Sequence, residues 1–194
     1  DKMLKMITYD DKEAIILDFF SGAATTAHAV MNYNLQDNGK RKFIMVQLPE
    51  KTAENSEARA NGYDNICEIG KERIKKAGDK ILKDNPKTNI DVGFKVFKVA
   101  DTNIKWNTLI EDGQLDLSQI ENTPDLVDFM PNSKDIDIVY ELMLRQRDLP
   151  LSESLEKLSQ LGNRTYFYAS SYIVCLETKI TEELISKLSE LNPL

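Results

Sequence analysis

Asp18, Ser21, Thr25 and Thr26 lie close together around one glycine, Gly22. The surrounding stretch, residues 15–26, reads IILDFFSGAATT. Its opening run, apolar at Ile15, Ile16, Leu17, Phe19 and Phe20 and β-branched at the start, has the pattern of a buried strand. Ser21, Gly22, Ala23 and Ala24 then let the backbone turn sharply, and Thr25 or Thr26 is placed to cap a helix continued by Ala27, Ala29 and Val30. Asp18 stands at the carboxyl end of the strand, where open α/β sheets hold their ligands. N–H groups at a helix start attract an anion, and a carboxylate at the strand tip accepts hydrogen bonds from a cationic or hydroxyl-bearing group. A zwitterion satisfies both.

Other chemistries are excluded or unsupported. The turn has one glycine and no lysine, so it is neither a dinucleotide fingerprint nor a P-loop. Strand-to-helix turns of this make occur throughout α/β proteins, so by itself it names no reaction. His28, the sole histidine, sits in the following helix without Cys or carboxylate at ligand spacing, and reads as structural. No metal site is expected. Cys67 and Cys175 are too far apart for a disulfide framework and are expected to be buried, reduced thiols.

A chain of 194 residues, 41% hydrophobic and 29% charged, can bury one sizeable core or two small ones. No apolar run approaches the roughly 20 residues of a membrane helix, and nothing at the amino end reads as a secretory signal, so a cytoplasmic protein with no membrane partner is expected. The net charge of -7 opposes a polyanion at long range, which argues against this segment being a DNA groove. Lys40, Arg41 and Lys42 read as a solvated turn, and Lys71, Arg73, Lys75 and Lys76 as one side of a helix.

These elements position the turn. Met3, Leu4, Met6 and Ile7 have helical spacing, and residues 10–13 form a polar link. A helix is expected over 24–33 with Ala24, Ala27, Val30 and Met31 inward, then a polar loop over 34–41. Residues 42–48 read as a parallel strand covered on both faces and ended by Pro49, which brings Gln47 and Glu50 to the same crevice as Asp18. Residues 55–61 read as a loop or short helix. Asp64 or Asn65 caps a helix to about residue 83, with Ile66, Ile69, Ile74, Ala77 and Ile81 inward and Glu68, Glu72, Lys75 and Lys76 outward. Residues 92–99 alternate as a third, edge strand.

Residues 101–132 read as a connection, with Trp106 a packing anchor. Beyond it, Ser133 starts a helix with Ile136, Val139, Tyr140, Met143 and Leu144 inward, and Leu155, Leu158 and Leu161 mark a short helix ending at Gly162. A hairpin of 165–169 and 172–176 follows, with Tyr166, Phe167 and Tyr168 as packing residues. Thr181 opens a last helix with Leu184, Ile185 and Leu188 inward.

The run from Ile15 through DFFSGAATTAHAV to FIMVQLPE at 43–50, continued by DVGFKVFKV at 91–99, resembles the S-adenosylmethionine-binding half of DNA methyltransferases. Within them it looks most like the modification (Mod) subunit of type III restriction-modification systems. The resemblance implies an enzyme that methylates the exocyclic amino group of adenine in a specific DNA sequence. It implies an α/β fold, half of a Rossmann-like methyltransferase sheet with three parallel strands and their helices, followed by a small α+β module. The domains would be 1–100 for cofactor binding, 101–132 as linker and 133–194 as the module. S-adenosylmethionine is the implied cofactor, with Asp18, Phe19, Phe20, Ser21, Gly22, Thr25 and Thr26 at its methionine end and Gln47, Leu48 and Glu50 at its ribose and adenine end. The implied partners are DNA, mainly through amino-terminal and recognition regions outside this sequence, and the restriction subunit.

Two positions depart from the family pattern. Gln47 stands where an acidic residue usually holds the ribose hydroxyls; its amide oxygen can accept one hydrogen bond, and Glu50 is a rival. Ala24 replaces glycine in the pattern Phe-x-Gly-x-Gly, which costs little at helical φ and is poorly tolerated at positive φ. The family's catalytic Asp-Pro-Pro-Tyr run does not occur: the six prolines, at 49, 86, 124, 131, 150 and 193, are never adjacent. No catalytic residue is assigned, and the chain alone is expected to bind part of the cofactor without transferring methyl groups. Opening on Asp1, it reads as a segment of a longer protein whose first strand needs another chain at its apolar edge. The alternative is a non-catalytic assembly protein, a homodimer that retains a methyltransferase-like half fold; a small-molecule methyltransferase stands third.

Overall fold

A computed structural model describes residues 2–105 and 129–191. Trp106, most of the expected connection and the last three residues lie outside the described residues. The chain divides into two compact units, Asp1–Phe94 and Lys95–Leu194.

In the first unit the order is α1 (Lys2–Ile7), β1 (Ile15–Asp18), α2 (Thr25–Asp37), β2 (Lys42–Met45), α3 (Glu57–Ala60) and α4 (Ile66–Asp84). β1 and β2 pair in parallel, Ile15 opposite Lys42 and Asp18 opposite Met45, with α2 as the crossover between them. Ala24, Ala27 and Met31 meet Ile74, Ala77 and Ile81 of α4, and Phe43 and Met45 pack against that cluster. These are among the inward positions that helical spacing predicts for α2 and α4; Ile66 and Ile69, expected inward as well, are only partly buried and stand outside this cluster. Asn65 caps α4, its side chain accepting the Glu68 N–H at 3.2 Å, and Ser56 caps the short α3.

The sheet departs from expectation in two ways. β1 and β2 bury one face rather than two: Ile15, Leu17 and Ile44 are half exposed or more, because alternation sends them away from the face that packs against the α2 and α4 cluster. Residues 92–99 form no strand. Val92 is held on α4, its Cβ 3.1 Å from where a Cβ on Gly78 would sit. Lys95 belongs to the second unit, where its ammonium donates to the carbonyls of Leu151, at 3.2 Å, and Glu153. Alternation alone does not secure pairing: the run is divided between the two units at Phe94 and Lys95, and the described sheet of the first unit has two strands. Met3, Met6 and Ile7 of α1 are also exposed.

Arg41, expected in a solvated turn, is buried. α2 runs on to Asp37 and ends at Asn38 in the left-handed conformation. The Arg41 guanidinium donates to both carboxylate oxygens of Asp37 at 3.0 and 2.9 Å, to the Thr8 hydroxyl at 2.9 Å and to the Thr8 carbonyl at 2.7 Å. It also lies 4.0 Å from the Tyr33 ring centroid. The Asn34 side chain brackets the Arg41 backbone, accepting its N–H at 3.1 Å and donating to its carbonyl at 2.9 Å.

The second unit holds α5 (Asp135–Gln146), β3 (Leu155–Lys157), β4 (Thr165–Tyr168), β5 (Tyr172–Cys175) and α6 (Glu182–Glu190), the strands forming an antiparallel sheet in the order β3-β4-β5. The hairpin forms where expected, but its turn is centred on Ala169 and Ser170 rather than on Ser170 and Ser171: these have φ of 53° and 55°, as a primed hairpin turn requires, and Ser171 N–H donates to the Tyr168 carbonyl. The helix expected at 155–161 is instead β3, Leu155 pairing with Tyr168. Leucines three apart suit a helix, but β4 offers a free edge and pairing there satisfies the backbone. α5 turns Ile138, Val139 and Met143 onto Tyr166, Tyr168, Val174 and Leu176, leaving Ile136 and Leu144 outside the core. On α6, Leu184 is buried and Ile185 exposed. Burial pushes the Tyr166 and Tyr168 phenols up. Cys67 and Cys175 are free and partly exposed rather than buried.

Arg41 sets the first prediction. Its hydrogen bonds hold the Asp37 carboxyl below the ordinary 3.8, and a depressed carboxylate stabilises the fold above the unfolded pKa and stops doing so as pH falls through the lowered value. Arg41→Ala should cost about 3 kcal/mol at neutral pH, and the gap to the parent should narrow below pH 3.8. Urea unfolding at the two pH values measures this; a gap unchanged by pH would remove Asp37 from the account.

Candidate functional site

The residues singled out at the tip of β1 come together around the turn into α2. Asp18 ends β1, and its carboxylate accepts the Phe20 N–H at 3.3 Å on one oxygen and the Thr26 hydroxyl at 2.6 Å on the other. Thr26 therefore spends its hydroxyl on the strand tip, and neither threonine caps α2. The cap position falls to Ala24, which makes no side-chain hydrogen bond. α2 thus begins with a strand-tip carboxylate beside its first turn and no side-chain cap on its N–H groups, an arrangement whose chemistry suits the anionic and cationic ends of one small ligand.

The turn is internally held. Ser21 N–H donates to the Val46 carbonyl at 3.2 Å, and Ala24 N–H to the Ser21 carbonyl at 2.7 Å. Gly22 has φ of 53° and Ala24 of 57°. The alanine thus occupies the unfavourable case that its sequence position left open. A left-handed alanine costs about 1–2 kcal/mol, while its buried methyl returns about 0.8 kcal/mol. Ala24 is 2% exposed, and α4 lies against it: a Cβ on Gly70 would be in ordinary van der Waals contact with Gly22 O at 3.4 Å and Ala24 Cβ at 3.5 Å.

At the tip of β2, Val46 N–H donates to the Asp18 carbonyl at 2.8 Å, which extends the pairing and sets Gln47 beside the turn. The Gln47 amide oxygen accepts the Gly22 N–H at 2.8 Å, and its Nε2 donates to the Leu48 carbonyl at 3.2 Å. The oxygen singled out for a ribose hydroxyl already accepts this one hydrogen bond. Leu48 and Glu50 are exposed beyond it. Phe19 and Phe20 are exposed too, their ring centroids 5.4 Å apart. Past Pro49 lies an open cleft of about 620 Å³ lined by Lys51, Glu54, Arg59, Asp64 and Asn65. Its charge is mixed: Arg59 pairs with Asp64 at 2.5 Å and donates to the Thr52 carbonyl at 3.0 Å.

Sequence reasoning missed two participants. Cys67, at the start of α4, directs its thiol to the Gln47 carbonyl at 3.4 Å, and Gly70 is the residue of α4 that faces the turn, with Gly22 and Ala24 opposite it. A glycine inside a helical pattern was the one available signal. Among the described residues no group of His, Cys, Asp and Glu is arranged to hold a metal ion, and no helix is long and apolar enough to cross a membrane.

No family model matches the chain. It is 46% identical over 90 residues to the type III restriction-modification enzyme StyLTI Mod subunit of Salmonella typhimurium, a match covering 46% of this chain and 14% of that protein. It is 43% identical over 89 residues to the EcoP15I Mod subunit of Escherichia coli, covering 46% of this chain and 13% of that protein. The type II methyltransferase M.KpnI of Klebsiella pneumoniae is 36% identical over 67 residues, 34% of this chain and 16% of that protein. The resemblance to Mod subunits read from the residues is thus borne out over about half of the chain, which spans a small part of those relatives' length.

Ala24 yields a prediction from this geometry. Ala24→Gly should shift stability by less than about 0.5 kcal/mol, relief of φ offsetting the lost methyl and the freer unfolded chain, whereas Ala24→Val should cost about 2 kcal/mol or more. Thermal unfolding of the two variants checks the ordering; equal losses would mean that side-chain volume rather than φ governs this position.

Proposed function

We propose that this chain carries the S-adenosylmethionine-binding segment of a type III DNA adenine methyltransferase, the enzyme that transfers a methyl group to the exocyclic amino group of adenine. The observation that carries the reading is the uncapped start of α2 beside the Asp18 carboxylate. It suits the zwitterionic methionine end, the carboxylate lying toward the helix N–H groups and the ammonium toward Asp18. Phe19, Phe20, Ser21, Gly22, Thr25 and Thr26 surround that end, and Leu48 and Glu50 lie toward the ribose and adenine. The names of the relatives support this assignment. With no Asp-Pro-Pro-Tyr run in its sequence, the chain contributes cofactor binding rather than catalysis, and DNA and the restriction subunit are the partners of the whole protein, which works in the cytoplasm.

Calorimetric titration with S-adenosylhomocysteine tests the reading. Saturable heat is expected, with at least about tenfold weaker binding for Asp18→Ala, the loss of one charge-assisted contact. Identical heats for the two proteins would overturn it, provided circular dichroism shows both folded.

A second reading, assembly without catalysis, is favoured by the half-exposed apolar face of Ile15, Leu17, Ile44 and Val46. Light scattering separates the two: a monodisperse homodimer supports assembly, and a monomer that binds the ligand supports the first.

A further inference from the structure

Gln47 occupies the position at which an acidic residue would hold a ribose, yet its geometry is that of a brace. Its amide oxygen accepts the Gly22 N–H at 2.8 Å across 25 positions of sequence. Its amide nitrogen is turned to the Leu48 carbonyl at 3.2 Å, and its own carbonyl accepts the Cys67 thiol at 3.4 Å. Gly22 is the hinge of the turn, at φ of 53°, and within two residues of it Ala24 holds a left-handed conformation that no side-chain cap supports. Phe20, Ser21 and Ala24 give their N–H groups to acceptors on neighbouring backbone or on Asp18. Gly22 gives its own to the side chain that reaches across from the tip of β2.

We infer that Gln47 is a positioning residue for the methionine end of the ligand, acting through the Gly22 N–H, and that it makes no contact with the ribose. By drawing Gly22 toward β2 it sets the direction in which α2 presents its free N–H groups. The inference rests on the proposed binding of an S-adenosyl ligand at this turn. It moves Gln47 from one end of that ligand to the other.

Two ligands distinguish the ends. S-adenosylhomocysteine has both the amino-acid and the ribose parts, and 5′-methylthioadenosine keeps the ribose and adenine but has no amino acid. Titrating the full chain, Gln47→Ala should weaken S-adenosylhomocysteine about tenfold, the worth of one well-placed hydrogen bond, and leave 5′-methylthioadenosine unchanged. Gln47→Glu should restore the first affinity, because a carboxylate oxygen accepts the same N–H. In the 15N-glycine-labelled chain, the Gly22 amide should shift and lose exchange protection in Gln47→Ala and recover both in Gln47→Glu. Equal weakening of both ligands would make Gln47 a ribose contact and overturn the proposal, as would a Gly22 amide indifferent to Gln47→Ala. A Gly22 amide that responds while S-adenosylhomocysteine affinity stays the same would overturn the positioning role. Should the parent chain bind neither ligand, the cofactor reading falls and the positioning of that ligand with it, whereas the Gly22 response still reports whether the brace exists.

Discussion

The Arg41 guanidinium is the constraint from which the first unit is built. It joins the end of α1, through Thr8, to the end of α2, through Asp37 and Tyr33, at the residue where β2 is about to begin. A buried charge is tolerable only when its donors are matched, and all three of its nitrogens find oxygen partners while its central carbon lies 4.0 Å from the Tyr33 ring centroid. Asn34 fixes the Arg41 backbone from both sides. The return of the chain from α2 into β2 is therefore specified by polar contacts, and the register of β2 against β1 follows from it, Lys42 N–H donating to the Ala14 carbonyl at 3.0 Å.

That register decides what stands at the carboxyl ends of the two strands. With Asp18 opposite Met45, the residues following each strand, the turn on one side and Gln47 on the other, come within hydrogen-bond reach. The turn carries local strain at Ala24 and is held by neighbours that bear on it from β2 and α4. The left-handed alanine and the lack of a side-chain cap thus go together at the start of α2, and the contacts from β2 and α4 hold that conformation in place.

The second unit is organised by a different means. Tyr166 and Tyr168 project from one face of β4 onto α5, and the Tyr168 hydroxyl donates to the Pro150 carbonyl at 2.5 Å, so that a large aromatic is buried without an orphaned polar group. Arg164 grips Asp135 at the start of α5 at 2.8 Å, where an acidic residue also complements the helix dipole.

The strand, turn and helix around Asp18, most of the inward stripes of α2 and α4, a cap at Asp64 or Asn65, the opening of α6 at Thr181, whose hydroxyl accepts the Leu184 N–H at 3.2 Å, and the hairpin at 165–176 were legible in the sequence, because each depends on spacing within a few residues. So was the likeness to Mod subunits, carried by a continuous run. Only the tertiary structure decided that Arg41 is buried, that Gln47 braces Gly22 and that Thr26 serves Asp18 instead of its own helix. It also decided that residues 92–99 stay out of the sheet while 155–157 enter one. Those outcomes share a cause. A side-chain oxygen, a charge or an alternating run can be satisfied locally or at a distance, and the choice depends on which partner the folded backbone brings near, which periodicity along one chain does not contain.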